Sequence, residues 1–198
     1  MVNSKLVAQI KPALREMLTE SGWVEGPSNP KTLLFSTPLL NQIIPKNGNY
    51  QWLNNEIFVF EIVNLEPLSF IIKVIPGDTN TRSILVNTLS GLECLSAHQH
   101  KKPWVNYIGH KTNLTAANFA GKGISEIKDI LKHDWGKITD IVNKVEMELV
   151  KHKSEFNNVL VNKSGQYPHW HKLNQSYSKG KIKVRHQPRR VHQHQFAA

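Results

Sequence analysis

Glu56-Ile-Phe-Val-Phe-Glu-Ile-Val63 and Leu68-Ser-Phe-Ile-Ile-Lys-Val-Ile75 are two β-rich runs of eight residues, parted by Asn64-Leu-Glu-Pro67. Asn and Pro set turn dihedrals that the β-branched and aromatic flanks disfavour, so the pair reads as a hairpin. Side chains alternate across a strand, and one face of this hairpin is wholly apolar: Phe58, Phe60 and Ile62 with Leu68, Phe70, Ile72 and Val74. The other face mixes Ile57, Val59 and Ile71 with Glu61, Ser69 and Lys73, which suits a half-solvated surface or one that grips a partner.

Working outward, Lys5 to Ser21 places Leu6, Ile10, Leu14, Met17 and Leu18 at steps of three and four, with Gly22 just beyond, and predicts an amphipathic helix. Gly26-Pro-Ser-Asn-Pro30 breaks regular structure, and Lys31 to Ser36 predicts a short strand. Pro38 to Tyr50 reads as irregular, with Asn47-Gly48 turning the chain back and Trp52 leading into the hairpin. After the hairpin, Pro76-Gly77-Asp78 turns into a helix expected from about Thr81 to Ser96, with Ile84, Leu85, Leu89, Leu92 and Leu95 on its buried face. Pro103 precedes a strand over Trp104 to Ile108, and His110 to Gly123 reads as a polar loop.

Ile124 to about His152 is the longest periodic segment, with Ile127, Leu131, Trp135, Ile138, Val142, Val145 and Leu149 in one stripe. At ~1.5 Å per residue such a helix runs roughly 40 Å and closes one side of the sheet. The expected architecture is a two-layer α+β domain over residues 1–158, a mainly antiparallel sheet with the hairpin at its centre packed by three helices. Residues 159–198 read as a flexible basic tail.

Most of the net charge of +10 belongs to that tail. From Leu160 onward there are eight Lys or Arg and no acidic residue, whereas residues 1–159 hold seventeen basic and fifteen acidic side chains. Lys179, Lys181, Lys183, Arg185, Arg189 and Arg190 fall close together among Tyr167, Trp170, Tyr177 and Phe196. Cations neutralise phosphates and release counterions, and aromatic rings stack on unpaired bases, so nucleic acid is the expected partner. On the body, Lys73, Arg82, Lys101, Lys102 and Lys111 are candidates to extend the basic surface, each also readable as an ordinary solvated charge. A membrane partner is not expected: no apolar run is long enough to span a bilayer, and Pro168 and Pro188 interrupt any amphipathic face in the tail. Cys94 is the only cysteine and is expected in the core, which with the absence of a signal-like N-terminus points to a cytoplasmic chain.

Trp52, the strand Ile57-Phe-Val-Phe-Glu61, the strand Phe70-Ile-Ile-Lys-Val-Ile75 closed by Pro76-Gly77-Asp78, Arg82 in the next helix, Trp104 before a strand and a long closing helix form a recognisable set. Over about residues 50–150 it resembles the C-terminal, non-catalytic region of bacterial and phage proteins of the PD-(D/E)XK nuclease superfamily. The resemblance implies a part that follows the catalytic core. The acidic residue and acidic-x-Lys triplet of that superfamily would lie ahead of Trp52, and the residues there contain no such set.

Glu126-Ile-Lys128 mimics the triplet but falls in the first turn of the predicted long helix, where the dipole favours Glu and solvent favours Lys. The pairs His98 and His100, His169 and His171, and His192 and His194 lack the further convergent ligands of a zinc site. No Gly-x-Gly-x-x-Gly, phosphate-binding loop or Gly-x-Ser-x-Gly occurs, so no cofactor, metal or catalytic residue is expected. Gly121-Lys-Gly123 before the long helix reads as a plain connector. The preferred expectation is a non-catalytic nucleic-acid-binding or nuclease-associated accessory protein. Two others stand beside it: a phage or mobile-element protein-interaction module, an inhibitor or defence-system subunit using the mixed sheet face, and a degenerate metal-dependent nuclease.

Overall fold

The computed structural model describes residues 5–27, 29–64, 67–99 and 103–164. The sheet with its covering helices belongs to a compact unit that ends at Lys163.

Helix α1 (Lys5–Glu20) turns Leu6, Ile10, Leu14 and Leu18 fully inward, as their spacing predicts. Strands β1 (Val24–Glu25) and β2 (Thr32–Ser36) follow, then α2 (Pro38–Ile43). This helix corrects the expectation of an irregular segment. Thr37 caps it by accepting a hydrogen bond from Leu40 N, and Pro38 opens it where no backbone donor is needed. It is too short to leave a periodic signature. A single 3-10 turn, Gln51–Leu53, leads into β3 (Phe58–Asn64), which pairs with β4 (Leu68–Val74) in the expected hairpin, Phe58 opposite Val74 and Asn64 opposite Leu68.

Asp78 caps α3 (Thr79–Ser90), its Oδ1 accepting from Thr81 N. The helix ends at Gly91, so Leu92 and Leu95 lie beyond it and pack only partly buried against the core. Strand β5 (Ser96–Gln99), which the sequence pattern does not predict, begins at the residue where that helix is expected to end, and β6 (Val105–Lys111) runs three residues past the expected strand. Within the expected loop lies α4 (Ala116–Phe119), which buries Phe119. The long helix is α5 (Ile124–Val150), and α6 (Lys153–Ser164) adds a further helical segment. The domain boundary expected after residue 158 falls inside α6, whose Phe156 and Val159 are buried.

The described strands form one six-stranded antiparallel sheet, ordered β1-β2-β3-β4-β6-β5. The wholly apolar face of the hairpin is the helix-covered one. Phe35, Phe60 and Phe70 meet there at centroid distances of 5.3 and 5.7 Å, and Trp23 stacks on Phe35 and touches Trp135 of α5 at 5.1 and 5.3 Å. This aromatic row pins α5 to the sheet, each pair adding about 0.5–1.5 kcal/mol beyond its area burial.

Between Phe70 and Ile71 the β4–β6 register shifts, because Ile108 faces Ile71 while His110 faces Phe70 and Gly109 is the extra residue. The bulge reverses the alternation of β6 and sends His110 to the helix side, where Nε2 meets Asp134 Oδ1 of α5 at 2.6 Å. Gly109 itself must lack a side chain, since a Cβ would meet Phe70 Cδ1 at 2.8 Å. The fold is thus a helical layer over one face of an antiparallel sheet.

Candidate functional site: the open face of the sheet

The opposite face holds the polar residues of the hairpin, and among the described residues no α-helix contributes to the small apolar cluster on it: Leu34, Leu53, Val59 and Ile75, flanked by Tyr50 and Trp104. Register places these side chains together, since Leu34 of β2 is opposite Glu61 of β3, and Val59 is opposite Lys73 of β4. Asn106 of β6 lies opposite Lys73 on its other side.

A loop is clamped over one end of this face. Gly48 and Gly77 form an isolated antiparallel bridge; Gly48 N donates to Asn55 O at 2.8 Å and Asn49 N to Pro76 O at 2.9 Å. Asn47 Nδ2 donates to Thr81 Oγ1 at 3.0 Å, tying the loop to the first turn of α3. The two backbones touch so closely that a Cβ on Gly77 would lie 2.8 Å from Gly48 Cα. Asn54 and Asn55 follow with φ of 53° and 58°, a left-handed pair that Asn tolerates better than most residues. This sharp reversal lets Leu53 plug into the apolar cluster while its neighbour Trp52 stays 60% exposed. Tyr50 braces two indoles, stacking on Trp104 at 5.1 Å and meeting Trp52 edge-on at 6.2 Å.

Between these aromatic walls and the strands lies a pocket of about 510 Å³. Its walls are Trp52, Trp104, Leu34, Leu53, Val59 and Ile75, and its polar groups come from Asn29, Thr32, Glu61, Lys73 and Asn106. That size and that mixture of an apolar body with a few converging polar groups characterise small-ligand sites. Glu61 is 2% exposed and pairs through Oε2 with the Lys73 ammonium, whose side chain is 24% exposed. Burial holds the Glu61 carboxyl above the ordinary carboxylate range, and the Lys73 charge and hydrogen bond pull it only part of the way back. Thr32 Oγ1 and Asn106 Oδ1 are buried polar atoms with no hydrogen-bond partner among the described residues. A group offering complementary atoms in this pocket would satisfy both.

Of the cations singled out in the sequence, Lys73 lies in this pocket and Lys111 at the far end of the same face, opposite Ser69. Arg82 lies on α3 and sends Nη2 to Pro103 O at 2.7 Å. Lys101, Lys102, Lys179, Lys181, Lys183, Arg185, Arg189 and Arg190 lie outside the described residues, as do His100 and the two later His pairs. Glu126 Oε2 accepts from Gly123 N at 3.0 Å as a helix cap, and Lys128 pairs with Glu16 and Glu20 of α1, so the nuclease-like triplet is spent on structure. Among the described residues no three His, Cys, Asp or Glu side chains gather as a metal site. No described helix is long and apolar enough to cross a membrane. Cys94 is half-buried against the edge of the core.

The sequence pattern points to Glu61 and Lys73 through their place on the mixed face, and to Trp52 and Trp104 only as landmarks of a resemblance. Thr32, Leu34 and Asn106 join them through strand register alone. One local signal is present: Asn54-Asn55, following Trp52-Leu53, marks a chain reversal beside an indole that stays outside. No family model, curated protein or solved structure matches the chain.

Proposed function

We propose that the protein is a non-catalytic nucleic-acid-binding module, acting in the cytoplasm, that takes unpaired bases on the open face of its sheet. The observation that carries this reading is the pocket walled by Trp52 and Trp104 and floored by the Glu61–Lys73 pair. Indole faces stack on any base, and aromatic side chains beside an antiparallel sheet give a single strand a platform that a duplex cannot use. The cation-rich, acid-free sequence from Leu160 onward supports the same partner by supplying charge for phosphates. The resemblance to regions that follow nuclease cores is consistent with an accessory role beside a nucleic-acid-processing partner.

The test is titration of the full chain with labelled single-stranded and duplex oligonucleotides at about 50 and about 200 mM salt. Single strands bind more tightly than duplex and quench tryptophan fluorescence. Trp52→Ala, at an exposed position that leaves the core intact, weakens single-strand binding about tenfold or more, in keeping with ~1–3 kcal/mol per stacked base. Equal affinity in the Trp52→Ala chain would remove the open face from the reading. Failure to bind any oligonucleotide would leave the face to a protein partner.

A further inference from the structure

We propose that the pocket on the open sheet face is a guanine-selective base site, with the Glu61 carboxylate and the Lys73 ammonium reading the Watson–Crick edge of the base. The inference deepens the nucleic-acid reading above and rests on it for the source of the base.

The edges of the bases differ in the order of donors and acceptors. Guanine alone among the four presents two adjacent N–H groups, N1–H and the N2 amino group, beside a carbonyl acceptor, O6. A carboxylate is the natural partner of two parallel N–H donors, because its two oxygens accept both at once. The neighbouring ammonium, which can only donate, matches O6. Glu61 and Lys73 present this acceptor and donor side by side on adjacent strands, in contact with one another, at the pocket lining. Adenine and cytosine each offer one exocyclic amino group beside ring acceptors, and uracil or thymine a single N–H between two carbonyls, so each would leave part of the pair unmet.

Two further features suit a planar heterocycle. Trp52 and Trp104 supply apolar walls for its faces, and the stacking of Tyr50 on Trp104 holds one wall in place. The unpartnered Thr32 Oγ1 can donate to a remaining ring nitrogen of the base, and the unpartnered Asn106 Oδ1 can accept the second hydrogen of its N2 amino group. The buried, paired carboxylate is itself a sign of construction. Such a group costs stability unless it is well partnered, and at the lining of a cleft it marks a candidate functional site.

The experiment compares guanosine, adenosine, cytidine and uridine monophosphates, and a thymine decamer with and without one central guanine, by calorimetry and tryptophan quenching on the full chain. The expected result is at least a tenfold preference for the guanosine nucleotide and for the guanine-bearing decamer. Glu61→Gln turns one acceptor into a donor at constant shape and abolishes that preference, while the circular dichroism spectrum and thermal midpoint confirm the fold. Lys73→Met weakens guanine binding without transferring preference to another base. Oligonucleotide binding with no base preference, or a preference that survives Glu61→Gln, would overturn the inference and leave the nucleic-acid reading standing. Guanosine monophosphate binding with no oligonucleotide binding would uphold the guanine site and remove the nucleic-acid reading instead.

Discussion

Glu61 is a carboxyl almost fully buried on the central hairpin, with Lys73 as its charged partner. Burial raises its pKa above the ordinary value, and Lys73 opposes that shift without cancelling it. An acid shifted upward on folding binds its proton more tightly in the folded chain. Its favourable contribution is therefore complete below the unfolded pKa of about 4.3 and is lost as pH climbs through the raised folded value. Glu61→Gln stays neutral at every pH. Its stability relative to the native chain is expected to improve as pH rises from about 4 towards neutrality, and the two denaturation curves run parallel again once the native carboxyl is fully ionised. Urea unfolding followed by circular dichroism at several pH values checks this; a difference that does not change with pH would show that Glu61 titrates as it does in the unfolded chain. Lys73, less buried, can turn its ammonium to water when its partner loses charge. Glu61 and Lys73 are visible in the sequence as polar residues interrupting an apolar strand pattern, but their mutual pairing and burial depend on β2 and β6 flanking them, which no local pattern encodes.

At the level of elements, the long hydrophobic periodicities of α1 and α5 and the two faces of the hairpin are readable because each repeats over several turns or strand steps. What escapes is short or polar: α2 has six residues, and β5, with the sequence Ser-Ala-His-Gln, pairs only with β6 and carries no β-branched residue. The β6 bulge escapes for another reason, since an extra residue is defined by the partner strand rather than by its own. It makes His110 a tie between sheet and α5, and His110→Ala is expected to cost about 1–2 kcal/mol by leaving Asp134 without this bond. Thermal unfolding measures that, and an unchanged midpoint would mean that the tie contributes nothing. The Gly48–Gly77 crossing has a different role, because it holds the loop that carries Tyr50 and Trp52. A Cβ on Gly48 would collide with the Glu56 carbonyl, a backbone atom that cannot step aside. Gly48→Ala is expected to destabilise by about 1–3 kcal/mol and to loosen the Trp52 wall, read as a red shift of tryptophan emission beyond that of the native chain. Full stability with an unchanged spectrum would separate the crossing from the pocket.

Across the whole chain, charge and chemistry are divided in sequence. The compact unit through Lys163 gathers a core, a pocket and a nearly balanced set of charges, while seven Lys or Arg and no acid lie beyond Ser164. That division is legible from composition because it needs only counting, whereas the pocket draws on β2, the 3-10 turn, β3, β4, and β6 with the residue before it, and so exists only once the sheet is assembled. A base stacked on the open face draws its affinity from apolar contact and hydrogen bonds, which salt scarcely screens; phosphates neutralised by lysines and arginines give a binding constant that falls linearly on a logarithmic salt scale. The two contributions separate in one measurement. A chain ending at Ser164 is expected to keep its cooperative thermal transition and its preference among bases. Its logarithmic salt slope for single-strand binding should shrink by up to about 5, at roughly 0.7 for each phosphate that the seven missing cations would neutralise. Retention of the full slope would assign the phosphate contacts to the body, with Lys111 and Arg82 the cations to replace next, and loss of all binding would mean that the open face cannot hold a strand by stacking alone.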